Sequence, residues 1–152
     1  MRKRQGFSLI ELLIVVAIIL IIAAIAIPNL IKSRIQANEA SAVAGLRDLN
    51  IAEETYNAEY PTTGYTCTLS YLAGSGTPSA TNAGILDTAI ATGIKSGYSF
   101  NVSSCVAPAG PVVYYSTDTA PIQKGTTGIR YFCSDQTGRI TYGSTYPCTF
   151  PL

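Results

Sequence analysis

The 152-residue sequence contains no histidine and no tryptophan, and only 12% of its residues are charged. Without histidine, the Ser/His and Cys/His pairs that activate a catalytic nucleophile cannot form. Six of the nine acidic residues lie within the first sixty positions, without the arrangement of a paired general acid and base. We therefore do not expect this protein to be an enzyme.

Patterns that hold metal ions are also missing. The four cysteines form no C-x-x-C pair and have no histidine beside them, so a zinc site is not expected. Asp87, Asp118 and Asp135 do not follow the D-x-D-x-D-G spacing of a calcium loop. The sequence predicts neither a metal nor any other cofactor.

What the sequence does have is a long apolar run near its start. In residues 9–27 only Glu11 is charged, and as a helix this run would measure roughly 28 Å, close to the ~30 Å hydrocarbon thickness of a bilayer. Arg2, Lys3 and Arg4 precede it, so the positive-inside rule places the first residues in the cytoplasm. The run is predicted to cross a membrane once.

Three other interpretations account for this run less well. An ordinary transmembrane anchor explains its length but gives no reason for Glu11. A secretory signal peptide would suit Ala24-Ile25-Ala26 as a cleavage site, but the apolar region is too long and is interrupted by a charge. A buried core helix would need a later region apolar enough to surround it, and the sequence has none.

A carboxylate in lipid needs a partner, and the sequence offers one. If the chain is cut after Gly6, the new amino terminus at Phe7 is a cation four residues before Glu11. Positions i and i+4 share one face of a helix, so this amine could reach the carboxylate of its own chain. The amine of a neighbouring chain could reach it too, and Glu11 would then set the register between subunits.

The residues Gly6-Phe7-Ser8-Leu9-Ile10-Glu11, the short basic leader and the apolar helix containing Pro28 resemble the type IV pilin and pseudopilin superfamily. The resemblance implies cleavage between Gly6 and Phe7 by a prepilin peptidase, and N-methylation of Phe7. It also implies that Glu11 pairs with a neighbour's N-terminus. The segment around Pro28 is expected to kink.

The resemblance and the composition together predict four parts. We expect a leader at 1–6, a transmembrane and filament-core helix at 7–28, an amphipathic helical half at 29–60 and a globular domain at 61–152. Removal of the leader takes away three of the ten basic residues and none of the nine acidic ones. The mature side chains, seven basic against nine acidic, therefore give no reason to expect nucleic acid as a partner.

Helical periodicity continues beyond the apolar run and predicts one helix over residues 7–56, ended by Pro61. Charged residues, including Glu39, are expected off the apolar stripe, and Glu53 and Glu54 are interpreted as a solvated face. Gly45 is interpreted as a soft point. The predicted apolar stripe consists of Ile31, Ile35, Ala42, Leu46, Leu49 and Tyr56.

The remaining chain predicts an α+β fold in which the C-terminal half of the long helix packs on a small antiparallel β-sheet, as in the pilin ladle fold. Asn82 is expected to cap a brief helix at 83–92. The turn at 135–138 is expected to join the last two strands as a hairpin. The predicted strands are 98–102, 112–116, 128–133 and 139–142.

Four cysteines in an exported domain predict two disulfides, with three possible connectivities. We favour Cys133 with Cys148, because this pair closes a short local loop. The loop of about 15 residues would restrict the unfolded chain by roughly 3 kcal/mol in the chain-entropy model. That choice leaves Cys67 to pair with Cys105.

The sequence thus predicts a structural pilus subunit. Its expected partners are identical subunits, the inner membrane before assembly, the prepilin peptidase and the pilus assembly machinery, and its final location is an extracellular pilus. The alternatives are a pseudopilin of a type II secretion system, or a minor pilin acting as a tip adhesin or DNA-uptake receptor. Four basic residues are interpreted as solubilising charges, so DNA binding is not expected: Lys95, Lys124, Arg130 and Arg139.

Overall fold

The computed structural model describes residues 7–107 and 109–146. The chain divides into two compact units, one ending at Arg34 and the other beginning at Ile35. The first unit contains the apolar run. The second contains the sheet and all the buried core residues.

The first helix, α1, runs from Leu9 to Glu59 and contains Pro28. The predicted helix over residues 7–56 is therefore confirmed, within three residues at either end. Just after the helix, the amide of Gly64 donates to the carbonyl of Tyr60 at 3.0 Å, and Gly64 has a φ of +77°. This left-handed turn reverses the chain after the helix because glycine adopts it without steric cost. The predicted kink at Pro28 stays a prediction.

The second unit contains a five-stranded antiparallel sheet in the order β1-β2-β3-β4-β5. The predicted α+β class is confirmed, whereas the prediction of four strands was wrong because a two-residue strand is too short to show a pattern. The strands are β1 (Ile94–Lys95), β2 (Tyr98–Val106), β3 (Tyr114–Pro121), β4 (Tyr131–Asp135) and β5 (Thr141–Gly143).

The largest strand error is at β3, which was predicted to end at residue 116 and continues to Pro121. Its second half is polar in sequence, but Thr117 and Thr119 are fully buried and pair with β2 and β4. The polarity of these residues led to the prediction of a loop, whereas they belong to the central strand of the sheet. The predicted hairpin between the last two strands is confirmed, with Gly138 donating to the carbonyl of Asp135 at 2.8 Å.

Two short helices precede the sheet, α2 (Leu69–Leu72) and α3 (Thr88–Ala91). The predicted helix at 83–92 was too long, and its cap was misplaced. Asp87 caps α3 by accepting the amide of Ala89 at 3.1 Å. The side chain of Asn82 instead donates to the carbonyl of Ser75.

The core lies between residues 35–59 of α1 and one face of the sheet. The predicted stripe is confirmed except at Ile31, which belongs to the first unit and is 46% exposed. An added Cβ at Gly45 would lie 2.7 Å from the ring of Phe100. Gly45 is thus a position of close helix–sheet approach rather than a soft point. The helix contributes Ala42, Leu46, Leu49, Ala52 and Tyr56 to this core.

The predicted placement of two acidic residues was wrong. Glu39 is 4% exposed and Glu53 is fully buried, so neither lies on a solvated face. Both carboxylates accept backbone hydrogen bonds from segments that the sequence alone does not place beside the helix.

Cys67 and Cys105 are joined by a disulfide bond, as predicted, with their Cα atoms 6.0 Å apart. The bond ties the segment after α1 to β2. Cys148 lies outside the described residues, so its pairing with Cys133 stays a prediction.

Candidate functional site: the N-terminal segment

The apolar part of α1 is exposed on all sides. From Leu9 to Ile27 every residue is exposed except Ala23, which is half-buried. A helix that is apolar all round, rather than along one stripe, cannot bury its whole apolar surface by packing on a small domain. This surface therefore requires a surrounding apolar environment.

Length and composition allow α1 to cross a membrane. It contains an 18-residue window with a mean hydropathy of 3.3, and none of that window is buried. Among the residues that the structure describes, α1 is the one helix that meets this test. The absence of burial argues against its being the core helix of a soluble protein.

The single acid of this segment has a partner within its own chain. The Glu11 carboxylate accepts the backbone amide of Ser8 at 2.9 Å, and the carbonyl of Ser8 accepts the amide of Leu12 at 3.3 Å. Ser8 is thus the N-cap of α1, and Glu11 occupies the third helical position. This is the glutamate half of a capping box, in which the third residue reaches back to the cap amide.

This contact was not predicted from the sequence. The signal was present as Ser8-x-x-Glu11, the S-x-x-E pattern that opens many helices. Phe7 precedes the cap and is 83% exposed. Gly6, the other half of the predicted cleavage site, lies outside the described residues.

In the second unit, Glu39 clamps the segment that leads into β4. One carboxylate oxygen accepts the amides of Ile129 and Arg130 at 3.0 and 3.1 Å, and the other accepts Nε of Arg130 at 2.8 Å. Desolvation opposes ionisation of Glu39, but these hydrogen bonds outweigh it and hold its pKa below the usual value. The clamp fixes β4 against the helix.

The four basic residues considered for nucleic acid do not form a free patch. Arg130 is paired with Glu39, with its guanidinium also over the rings of Phe132 and Tyr142 at 5.6 and 5.5 Å. Lys95 pairs with Asp87 at 2.9 Å. Lys124 donates to a backbone carbonyl and lies over a tyrosine ring. Three of the four charges are thus already engaged.

Two further polar side chains of α1 are buried against the sheet. Asn50 donates to the hydroxyl of Ser134 at 2.6 Å and accepts the hydroxyl of Tyr115 at 3.2 Å. Glu53 accepts the amide of Thr66 at 2.8 Å. In residues 7–107 and 109–146, no group of three or more His, Cys, Asp or Glu side chains is placed to hold a metal ion.

Residues 1–27 match a family model described as the prokaryotic N-terminal methylation motif. Over 59 residues the chain is 49% identical to the type IV wide pilus major component PilA4 of Thermus thermophilus, which covers 39% of this chain and 45% of that protein. Over 57 residues it is 47% identical to the type IV major pilin protein PilA of Myxococcus xanthus. This match covers 38% of this chain and 26% of that protein.

A third relative is the type II secretion system core protein G of Vibrio cholerae, 39% identical over 66 residues that cover 41% of this chain and 45% of that protein. The chain thus spans less than half the length of these relatives. No solved structure matches it significantly. The matches confirm the predicted resemblance: the chain carries a prokaryotic N-terminal methylation motif and is similar, over its N-terminal part, to type IV pilins and to type II secretion pseudopilins.

Proposed function

We propose that this chain is a type IV pilin, a structural subunit that is cut between Gly6 and Phe7, N-methylated on Phe7 and polymerised into a pilus through residues 7–28. The observation that carries the proposal is the apolar helix exposed on every side, with its one acid at the start. The methylation-motif match over residues 1–27 supports it. No catalysed reaction is part of this function.

Polymerisation follows from the need to bury this surface twice, first in lipid and then in protein. In the precursor the bilayer surrounds the segment. In the filament, helices of identical subunits surround it instead. A contact between unlike surfaces of identical subunits does not close on itself and generates a helical filament.

Glu11 supplies the register in this scheme. In the uncut chain its carboxylate is occupied by the amide of Ser8. Cleavage creates a charged amine at Phe7, and a neighbour's amine gives Glu11 a second, ionic partner. Because an unpaired charge in an apolar core is costly, only the stagger that brings the two together is favoured.

The proposed location follows from the same segment. The precursor spans the inner membrane once, with its N-terminus in the cytoplasm where the prepilin peptidase meets the leader. The pilus assembly machinery then transfers the subunit to an extracellular pilus. A bend at Pro28 would ease this transfer, because proline leaves one helical hydrogen bond unmade.

Processing is tested by intact-mass measurement and N-terminal sequencing of the exported protein. The proposal expects a chain that begins at Phe7 and carries one extra methyl group. A chain that begins at any other residue would contradict the assigned cleavage site.

Register is tested by Glu11→Gln, which keeps the shape and removes the charge. Export and cleavage should continue, while filament yield should fall about tenfold or more, since 1.4 kcal/mol of lost pairing is tenfold in an equilibrium. Glu54→Gln, an acid in the second unit, is the matched control and should assemble normally. Normal filament yield from Glu11→Gln would remove the register role.

A pseudopilin of a type II secretion system is the second candidate, favoured by the similarity to core protein G. Deletion of the chain separates the two functions. Loss of surface filaments in electron micrographs, with protein secretion intact, supports the pilin. Loss of secretion without loss of surface filaments supports the pseudopilin.

A further inference from the structure

Glu53 is buried under conditions that disfavour its charged form. The residue is fully buried, and one carboxyl oxygen accepts the amide of Thr66 at 2.8 Å. The other oxygen has no hydrogen-bond partner in the part of the chain that the structure describes. A buried carboxylate with one hydrogen bond and no cation is far costlier than the neutral acid.

The groups that face Glu53 do not compensate a charge. They are Glu54 and Tyr56 from α1, Tyr65 from the connection after α1, and Tyr115 from β3, all of which ionise to anions. Neither of the two ion pairs found among the described residues includes Glu53. Desolvation raises the pKa of Glu53 to about 8, in spite of the hydrogen bond from Thr66.

The cover over Glu53 is the segment of residues 63–68. The amide of Thr66 binds Glu53, and the hydroxyl of Tyr65 donates to the exposed neighbour Glu54 at 2.9 Å. The amide of Tyr65 also donates to the carbonyl of Val112 at 3.0 Å. The amide of Val112 in turn donates to the carbonyl of Thr63 at 2.9 Å. Two consecutive glutamates and two backbone hydrogen bonds to Val112 thus hold this segment on the unit.

The far end of the segment is tethered covalently. Cys67 is bonded to Cys105 on β2. Tyr115, a fully buried residue of β3, is a neighbour of Glu53, and its ring lies 4.8 Å from the ring of Tyr65, centroid to centroid. Lifting the 63–68 segment would take the amide of Thr66 away from Glu53 and expose the carboxyl group to water, and the disulfide would keep that opening local.

We propose that protonated Glu53 is a latch that holds the 63–68 segment closed in acidic solution and releases it as the pH rises towards the alkaline side of neutrality. The open state hydrates the carboxyl group and gives it an ordinary acidity, so opening is coupled to loss of one proton. The apparent equilibrium constant for opening should then rise by up to about tenfold per pH unit, over the range between the pKa of Glu53 in the open state and its higher pKa in the closed state.

The test is amide hydrogen exchange of residues 63–68 in the full-length chain in detergent micelles, at pH 5.5 and pH 7.5, after correction for the intrinsic pH dependence of exchange. The wild type should show more than tenfold additional exchange at the higher pH, which reflects one proton released on opening. Glu53→Gln, which cannot ionise, should show no additional exchange at the higher pH. Asp48→Asn, which removes the charge of an exposed acid on the same helix, is the control and should keep the wild-type pH dependence.

A direct titration guards against a variant that fails to fold. Carboxyl carbon NMR of labelled wild-type protein, with Glu53 assigned through its own backbone resonances, should show that Glu53 titrates at a pH well above that of the other glutamates. Titration of Glu53 near pH 4.5 would overturn the latch. An equal pH response of the 63–68 segment in the wild type and Glu53→Gln would overturn it as well.

Discussion

One helix serves two regions that obey different rules. In residues 9–34 of α1, exposed apolar side chains lie on every face of the helix. The one acidic residue of this region, Glu11, lies in the first turn and accepts the backbone amide of Ser8. In residues 35–59, one stripe is buried, and that stripe includes Glu39, Asn50 and Glu53. The first region stays exposed in the described structure, whereas the second packs on its own sheet.

The difference shows what buried polar groups contribute. Apolar packing alone leaves a helix free to slide or rotate on a sheet, because many arrangements bury similar areas. Glu39 accepts amides from the entry to β4, Asn50 contacts β3 and β4, and Glu53 accepts an amide from the 63–68 segment. Each contact is satisfied in one arrangement, so together they specify how the helix sits on its own sheet.

The largest expected effect is the difference in the free energy of unfolding between the same leucine-to-alanine change made in each region. Leu46→Ala removes a fully buried side chain and should lower the free energy of unfolding of the second unit by about 2–5 kcal/mol. Leu20→Ala, at a position 63% exposed, should change it by less than about 0.5 kcal/mol. Near-UV circular dichroism follows the second unit alone, since all ten tyrosines lie after residue 55.

Equal losses from the two truncations would contradict the comparison. They would mean that residues 9–34 also find intramolecular partners. The measurement needs detergent-solubilised full-length protein, so that the exposed region remains covered in both variants.

The next effect concerns acids in the second region. Glu39→Ala leaves two backbone amides and the Arg130 guanidinium without their acceptor, and should cost about 2–3 kcal/mol at neutral pH. Asp48→Ala, an exposed acid on the same helix, is the control and should change stability by less than about 0.5 kcal/mol.

The pH dependence of this difference has a definite sign. The pKa of Glu39 lies below its usual value in the folded protein. Its contribution is therefore fully present above the ordinary glutamate pKa and is lost as the pH falls through the depressed value. A gap between wild type and Glu39→Ala that stayed constant from pH 7 to pH 2 in chemical denaturation would refute the ionic part of the clamp.

The two regions also differ in how well the sequence predicts them. Composition and length were enough for residues 9–34, because an unbroken apolar run has few structural solutions. In residues 35–59 the apolar stripe was predictable from spacing, but Glu39 and Glu53 were placed on the surface. Their partners, Ile129 and Thr66, come from segments whose position depends on the tertiary fold, so no local pattern announces the contact.

The sheet shows the same limit. The hairpin of β4 and β5 was predictable from the turn residues between them, whereas the polar second half of β3 was not. Its threonines face the helix side of the sheet and are buried. Of the candidate site, the cap formed by Ser8 and Glu11 was open to prediction from its spacing, and it was missed because Glu11 was considered only as a partner of the Phe7 amine, in its own chain or in a neighbour.

The smallest expected effect on stability comes from removing a single buried hydroxyl group, that of Tyr115. Tyr115 is fully buried, and its hydroxyl donates to Asn50 at 3.2 Å. Tyr115→Phe keeps the ring and removes this donor, leaving the Asn50 oxygen without it, and should cost about 1 kcal/mol. Tyr114→Phe, the half-buried neighbour on β3, provides the matched control and should cost less than about 0.5 kcal/mol. Thermal unfolding followed by near-UV circular dichroism separates the two variants. If both behaved alike, the buried polar contact to Asn50 would add nothing to stability, and apolar packing alone would account for the way residues 35–59 hold the sheet.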